Sequence, residues 1–165
     1  MSDIIYKKGS ILEAARGWSN GEGRKIIAHA CNAQGVWGSG VARVLREAFP
    51  GAYATYHQQC VSEEFPWILV GKTIDCDEIA ALITSEHYGP KKDPPDRILQ
   101  NTYTAIADMF WDYSYKLSYK LNVHSPRINA GLFEVPWEQT ERIIKQALEL
   151  YPQCTWTVWD PNLEE

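Results

Sequence analysis

The stretch from Ile26 to Leu45 constrains this chain more than any other. An apolar run, Ile26-Ile27-Ala28, ends in His29-Ala30-Cys31-Asn32 and passes through Gly35, Gly38 and Gly40. It then opens a helical pattern with apolar positions at Val41, Val44, Leu45 and Ala48. Strand, glycine-rich loop and helix N-terminus in that order make an anion-binding arrangement. Unpaired backbone N–H groups and the positive end of the helix dipole converge where glycine lets a ligand come close. The pattern predicts a phosphorylated ligand. No Gly-Lys-Ser/Thr follows the loop, and the six-residue dinucleotide fingerprint is missing, so NTP hydrolysis and hydride transfer lose support.

The rest of the chain reads as alternating strands and helices. Ile4 to Lys8 is a strand ended by Gly9, and Ser10 is placed to cap a short helical segment with Glu13 three residues on. Trp18 to Arg24 is loop-like, and Lys25 to Ala30 reads as a buried strand. Gly40 to Phe49 is a helix stopped by Pro50, and Ala52 to about Glu63 is a second, with Tyr53, Tyr56, Cys60 and Val61 near helical spacing. Trp67 to Ile74 and Ile79 to Thr84 are strands joined by the acidic turn Asp75-Cys76-Asp77-Glu78. After the loop Gly89 to Pro95, a helix starts near Asp96 and runs to about Tyr115. Leu121 to Ile128 is extended, Pro136 opens a helix to Leu150, and Thr155 to Trp159 is the last strand. This alternation predicts a three-layer α/β/α sandwich around a mixed, mostly parallel sheet. Ligands of such sheets sit beyond the carboxyl ends of the strands. The loops after His29 and at Asn129-Ala130-Gly131 both follow strands and can share that edge.

One domain spanning residues 1–165 suffices, since a chain of this length buries roughly two-thirds of its unfolded surface. A net charge of −5 argues against a broad grip on nucleic acid. Cys31, Cys60, Cys76 and Cys154 have neither zinc-site pairing nor the density of a disulfide scaffold, and the N-terminus has no signal-peptide pattern. A soluble cytoplasmic or nuclear protein with reduced thiols is expected, acting as a monomer, with no membrane partner. The acidic turn at Asp75, Asp77 and Glu78 is expected to be solvated, and no metal or cofactor is expected.

The motifs Tyr6-Lys7-Lys8-Gly9 with Ile11-Leu12, His29-Ala30-Cys31-Asn32 with Gly35, Trp37-Gly38-Ser39-Gly40-Val41-Ala42, and Pro126-Arg127-Ile128-Asn129-Ala130-Gly131-Leu132-Phe133 with Val135-Pro136-Trp137 resemble the macro domain, an ADP-ribose-binding module. Within it they resemble the branch of small ADP-ribose 1''-phosphate phosphatases, which also contains ADP-ribosyl-glutamate hydrolases. The resemblance implies that Gly9, Ser10 and Ile11 border adenine, although many members have aspartate where Ser10 stands. It implies that Asn32 approaches the distal ribose, that Gly38 to Ala42 bind phosphate, and that Asn129, Ala130, Gly131, Leu132, Phe133 and Glu134 close over the diphosphate and ribose. Ala30, Cys31 and Ile128 fall in the same ligand-bordering set.

His29 is the nearby side chain able to exchange protons at neutral pH. The resemblance makes it the candidate for activating water or protonating the leaving ribose oxygen, with Asn32 the second candidate catalytic residue, orienting the ribose. A hydrogen-bonded packing role for the same histidine stays open. Trp37 is either a rim residue or a cover for the terminal phosphate, and Asp160, after the last strand, is a candidate for adenine or its ribose. Where the sibling hydrolases use a lysine and an aspartate, Ser85 and Phe133 stand, and Glu134 is one residue displaced. The implied reaction is hydrolysis of the terminal phosphate of ADP-ribose 1''-phosphate. The alternatives are a non-catalytic ADP-ribose binder and a hydrolase freeing ADP-ribose from macromolecules.

Overall fold

Among the described residues, six strands form one sheet in the order β1-β6-β5-β2-β4-β3, with β3 antiparallel to β4 and every other neighbouring pair parallel. The computed structural model describes residues 3–16, 23–116 and 120–164, with the side chains of 114–116 excepted. The strands are β1 (Ile4–Lys8), β2 (Arg24–Asn32), β3 (Thr73–Cys76), β4 (Ile79–Ser85), β5 (Leu121–Ser125) and β6 (Thr155–Asp160). The helices are α1 (Gly40–Ala48), α2 (Pro50–Ser62), α3 (Pro95–Phe110) and α4 (Trp137–Leu150). Most of the loop expected over Trp18 to Arg24 lies outside the described residues.

Period-two alternation divides the core. On β2, Ile26 and Ala28 join Ala80, Leu82, Val123, Trp156 and Val158 on the face covered by α3 and α4. Ile27 and Cys31 point the other way, with Ala81 and Ile83, toward Leu45, Tyr56 and Cys60 of α1 and α2. β4 is buried along its whole length, as expected of a strand with neighbours on both sides and helices on both faces. The result is the expected α/β/α sandwich.

Several local boundaries differ from the sequence reading. Residues Pro66–Leu69 form a 3-10 turn where a strand was expected, since Pro66 presets the first helical φ. Gly71 then turns the chain at φ 83 before β3 begins. The acidic hairpin turn is tied down rather than merely solvated: Arg24 Nη2 donates to Asp75 Oδ1 at 3.2 Å and to Asp77 O at 2.6 Å. Strand pairing of β5 ends at Ser125, because Pro126 has no N–H to continue the ladder. α3 passes at Trp111 into a π-helical turn over Trp111–Lys116. Of the apolar positions that signalled α1, Leu45 is buried while Val41 and Val44 are exposed.

Candidate functional site

All the parallel strands deliver their C-terminal ends to one edge of the sheet, and the loops carrying the sequence motifs leave from that edge. The first turn, residues 33–39, runs from β2 into α1. Ser39 occupies the N-cap in extended conformation, but its side chain makes no capping hydrogen bond. Gly40 follows at φ 61, a conformation open to glycine. The opening N–H groups of α1 have no carbonyl partner within the helix, and Gly38, Ser39, Gly40 and Val41 are exposed. These donors belong to exposed residues at the sheet edge.

The second turn, residues 129–135, approaches the first. A β-carbon on Gly40 would stand 3.5 Å from Leu132 Cδ1. Asn129, at φ 67, is buried, and its amide is fully used: Nδ2 donates to Thr102 Oγ1 at 2.8 Å, and Oδ1 accepts from Thr84 Oγ1 at 3.1 Å. Its carbonyl accepts from Val135 N at 2.9 Å, and Glu134 N donates to Gly131 O at 3.0 Å. Asn129 is thus the anchor from which Ala130, Gly131 and Leu132 project, all three exposed. Phe133 is half-buried and Ile128 is buried in the sheet-side core.

At the opposite flank, Gly9 N donates to Asp160 O at 3.1 Å, so the loop after β1 is fixed to the end of β6. Ser10 is exposed, and its hydroxyl accepts from Leu12 N at 3.2 Å, capping the 3-10 turn Ile11–Ala15 as expected; Ile11 is buried beneath it. The Asp160 carboxylate, proposed from sequence as a ligand contact, is already committed: Arg127 Nε lies 3.0 Å from Oδ2, and Asn162 N donates to Oδ1 at 2.8 Å. Arg127 also lies over the rings of Tyr6 and Trp137. Tyr6 donates to Glu141 and accepts from Trp137 Nε1, and burial with that carboxylate pushes its pKa up to about 12. This cluster locks β1, β6, the second turn's approach and α4 together, and sequence reasoning missed it because its members are far apart in the chain.

Four expected site residues are buried beneath the first turn rather than exposed at its rim. His29 is 2% exposed, with its ring edge-on to Trp37 at a centroid distance of 4.6 Å and Nε2 3.4 Å from Cys31 Sγ. Burial pushes its pKa down to about 3, so it is a neutral packing imidazole and not a group that exchanges protons with a ligand at neutral pH. Trp37 is neither rim nor cover: it is fully buried, stacked on Tyr56 at 4.8 Å, and it pins the first turn to α2. Cys31 is buried beside both, and the same burial pushes its thiol pKa up. Asn32 is 6% exposed, and its amide serves the first turn. Oδ1 accepts from Gln34 N at 2.9 Å, Val36 N at 3.3 Å and Tyr56 Oη at 3.1 Å, while Nδ2 donates to Val36 O at 2.8 Å. It is a positioning residue for the turn. The polar-to-glycine transition in the sequence located these residues, but their depth depends on α2, which packs over them.

Ser85 is buried, with Oγ donating to His87 O at 2.7 Å and accepting from Asp93 N at 2.9 Å. It braces the loop after β4. Ala30 is half-buried on the α3/α4 side, and Ala42 lies half-buried in the first turn of α1. Among the described residues no group of three or more His, Cys, Asp or Glu is placed to hold a metal ion.

Comparison with known proteins agrees with this geometry. The Macro domain family model matches residues 28–144. A protein of Candida albicans named ADP-ribose 1''-phosphate phosphatase is 38% identical over 155 residues, covering 87% of this chain and 92% of the relative. One of the same name from Debaryomyces hansenii is 34% identical over 90% of this chain and 96% of its own length. Among solved structures, the macrodomain of Mycobacterium tuberculosis DarG aligns with a TM-score of 0.73 over 98% of this chain and all of its own, at 20% identity. Thermosipho africanus DarTG in complex with ADP-ribose aligns with a TM-score of 0.70 at 13% identity, over all of this chain and 43% of that one. Those two likenesses establish the fold alone. With a family match across most of its length and the expected α/β/α sheet, this chain belongs to the macro domain family.

Proposed function

We propose that this protein binds ADP-ribose and removes the terminal phosphate from ADP-ribose 1''-phosphate. The close approach of the Leu132 side chain to Gly40 carries the reading, because it brings the second turn beside the uncapped donors of α1. A diphosphate between them meets N–H groups from both sides and the positive end of a helix. The choice of substrate rests on similarity to relatives named for that phosphatase activity at 34% and 38% identity over most of both chains. In this reading the backbone of Gly38 to Val41 and of Ala130 to Phe133 holds the phosphates, and Gly9 and Ser10 border the nucleoside end.

Phosphoryl transfer depends chiefly on positioning and on stabilising charge at the phosphate oxygens, which preorganised backbone donors supply. Asn32, Asn129 and Trp37 contribute by holding the turns in place. His29 remains neutral, so the pH profile of turnover contains no inflection from it near the ordinary imidazole value of about 6.5. Inorganic phosphate release from ADP-ribose 1''-phosphate, measured beside ADP-ribose release from an ADP-ribosylated protein, tests the reading. Phosphate release from the small molecule alone is the expected result. Release of ADP-ribose from the protein, or tight ADP-ribose binding with no phosphate release, contradicts it.

A further inference from the structure

Lys92 follows the 3-10 turn Gly89–Lys91 in the loop after β4, and its Nζ lies 3.3 Å from Glu134 Oε2. Glu134 belongs to the second turn, so this ion pair joins two loops of the site edge. The loop after β4 is also tied to the first turn: Ala33 N donates to Ser85 O and Glu86 O, and Gln34 Nε2 donates to Glu86 O at 3.1 Å. Lys92 therefore ties the second turn to a loop whose opening residues, Ser85 and Glu86, hold the first turn.

The partners are held very differently. The Lys92 side chain is 25% exposed, whereas that of Glu134 is 74% exposed. The lysine's loop is braced by Ser85, by Asn101 Nδ2 donating to Asp93 Oδ2 at 3.2 Å, and by Lys92 N donating to Gly89 O at 3.0 Å. Glu134 is strained, with φ at 59, a region that glutamate rarely enters. The cation is thus the less exposed partner, on a braced loop, and the carboxylate is the more exposed one, on a strained turn. Arg127, on the other flank, is committed to Asp160 and to two aromatic faces.

A phosphomonoester adds up to two negative charges to a ligand that already carries a diphosphate. Placed beside the second turn it meets the Glu134 carboxylate, and a charge-assisted bond from an ammonium answers both the repulsion and the new oxygens. We infer that Lys92 distinguishes the phosphorylated ligand from ADP-ribose, exchanging Glu134 for the terminal phosphate when the monoester is bound and returning to Glu134 when it has gone. The inference rests on the phosphatase reading for its substrate, but it makes a separate demand on binding.

The test compares Lys92→Ala, Lys92→Arg and Glu134→Gln in the full chain, with ADP-ribose affinity from calorimetry and KM from phosphate release. Lys92→Ala raises KM for ADP-ribose 1''-phosphate about tenfold and leaves the ADP-ribose Kd within about twofold. Lys92→Arg restores most of the loss, and Glu134→Gln lowers KM. Equal weakening of both ligands by Lys92→Ala, or no change in either, overturns the inference. If the wild type binds ADP-ribose but releases no phosphate, the phosphatase reading fails on its own. The equilibrium Kd of the intact monoester then decides the role of Lys92, with the same tenfold ratio expected.

Discussion

Gly131 separates two demands that usually coincide at a glycine. A β-carbon there would meet nothing within 4 Å, and the residue is exposed at the tip of the second turn. Gly131→Ala therefore leaves thermal stability within about 0.5 kcal/mol of wild type, as an open surface site should. If phosphate oxygens approach this backbone closely, the added methyl weakens ADP-ribose binding at least about tenfold, which calorimetry beside a thermal melt reads directly. Unchanged affinity would show that the ligand stays clear of this turn. Asn129 illustrates what a motif conceals at this scale: the sequence marks it as a ligand contact, whereas its side chain is spent on Thr84 and Thr102 and only the backbone it anchors reaches outward.

At the scale of elements, β2 and β5 each bury an uncharged histidine. His29 is 2% exposed and His124 is 8% exposed, the latter accepting from Trp159 Nε1 at 3.0 Å. Burial holds their pKa values down, to about 3 and about 4, with Lys25 and Lys7 adding to the effect at His124. Because the unfolded chain takes up these protons near pH 6.5 and the folded one does not, stability falls as pH drops from about 6.5 toward 4. The loss is about 1.4 kcal/mol per pH unit for each histidine until its folded pKa is reached. Urea midpoints between pH 7.5 and 5 should show this decline, and it should be roughly half as steep in His124→Gln. A flat profile, or an unchanged slope in the variant, contradicts the assignment. The strand that carries His29 was legible because its apolar run and glycine-rich exit are local signals. The imidazole's environment was not, since Trp37 and α2 reach it only through tertiary packing. Likewise, the strand expected over Trp67 to Ile74 reflected apolar content, while Pro66 and Gly71 determined the backbone.

The whole molecule brings loops from separate strands to one edge of a common sheet architecture, and the proposed anion site lies there. The alternation of elements and the glycine-rich strand-to-helix junction made the sandwich, and the sheet edge that its two turns share, readable from sequence. Long-range pairs, such as Arg127 with Asp160 and Lys92 with Glu134, were not readable, because ion pairing between distant residues leaves no periodic trace. The central claim is that backbone amides of the two turns grip one diphosphate. Titrating the 15N-labelled protein with ADP-ribose and following amide chemical shifts tests it most directly. The account predicts that the largest shifts fall together on residues 38–42 and 130–133, with the same saturation curve. Saturable shifts that spare either turn, or that centre on another face of the sheet, would contradict it.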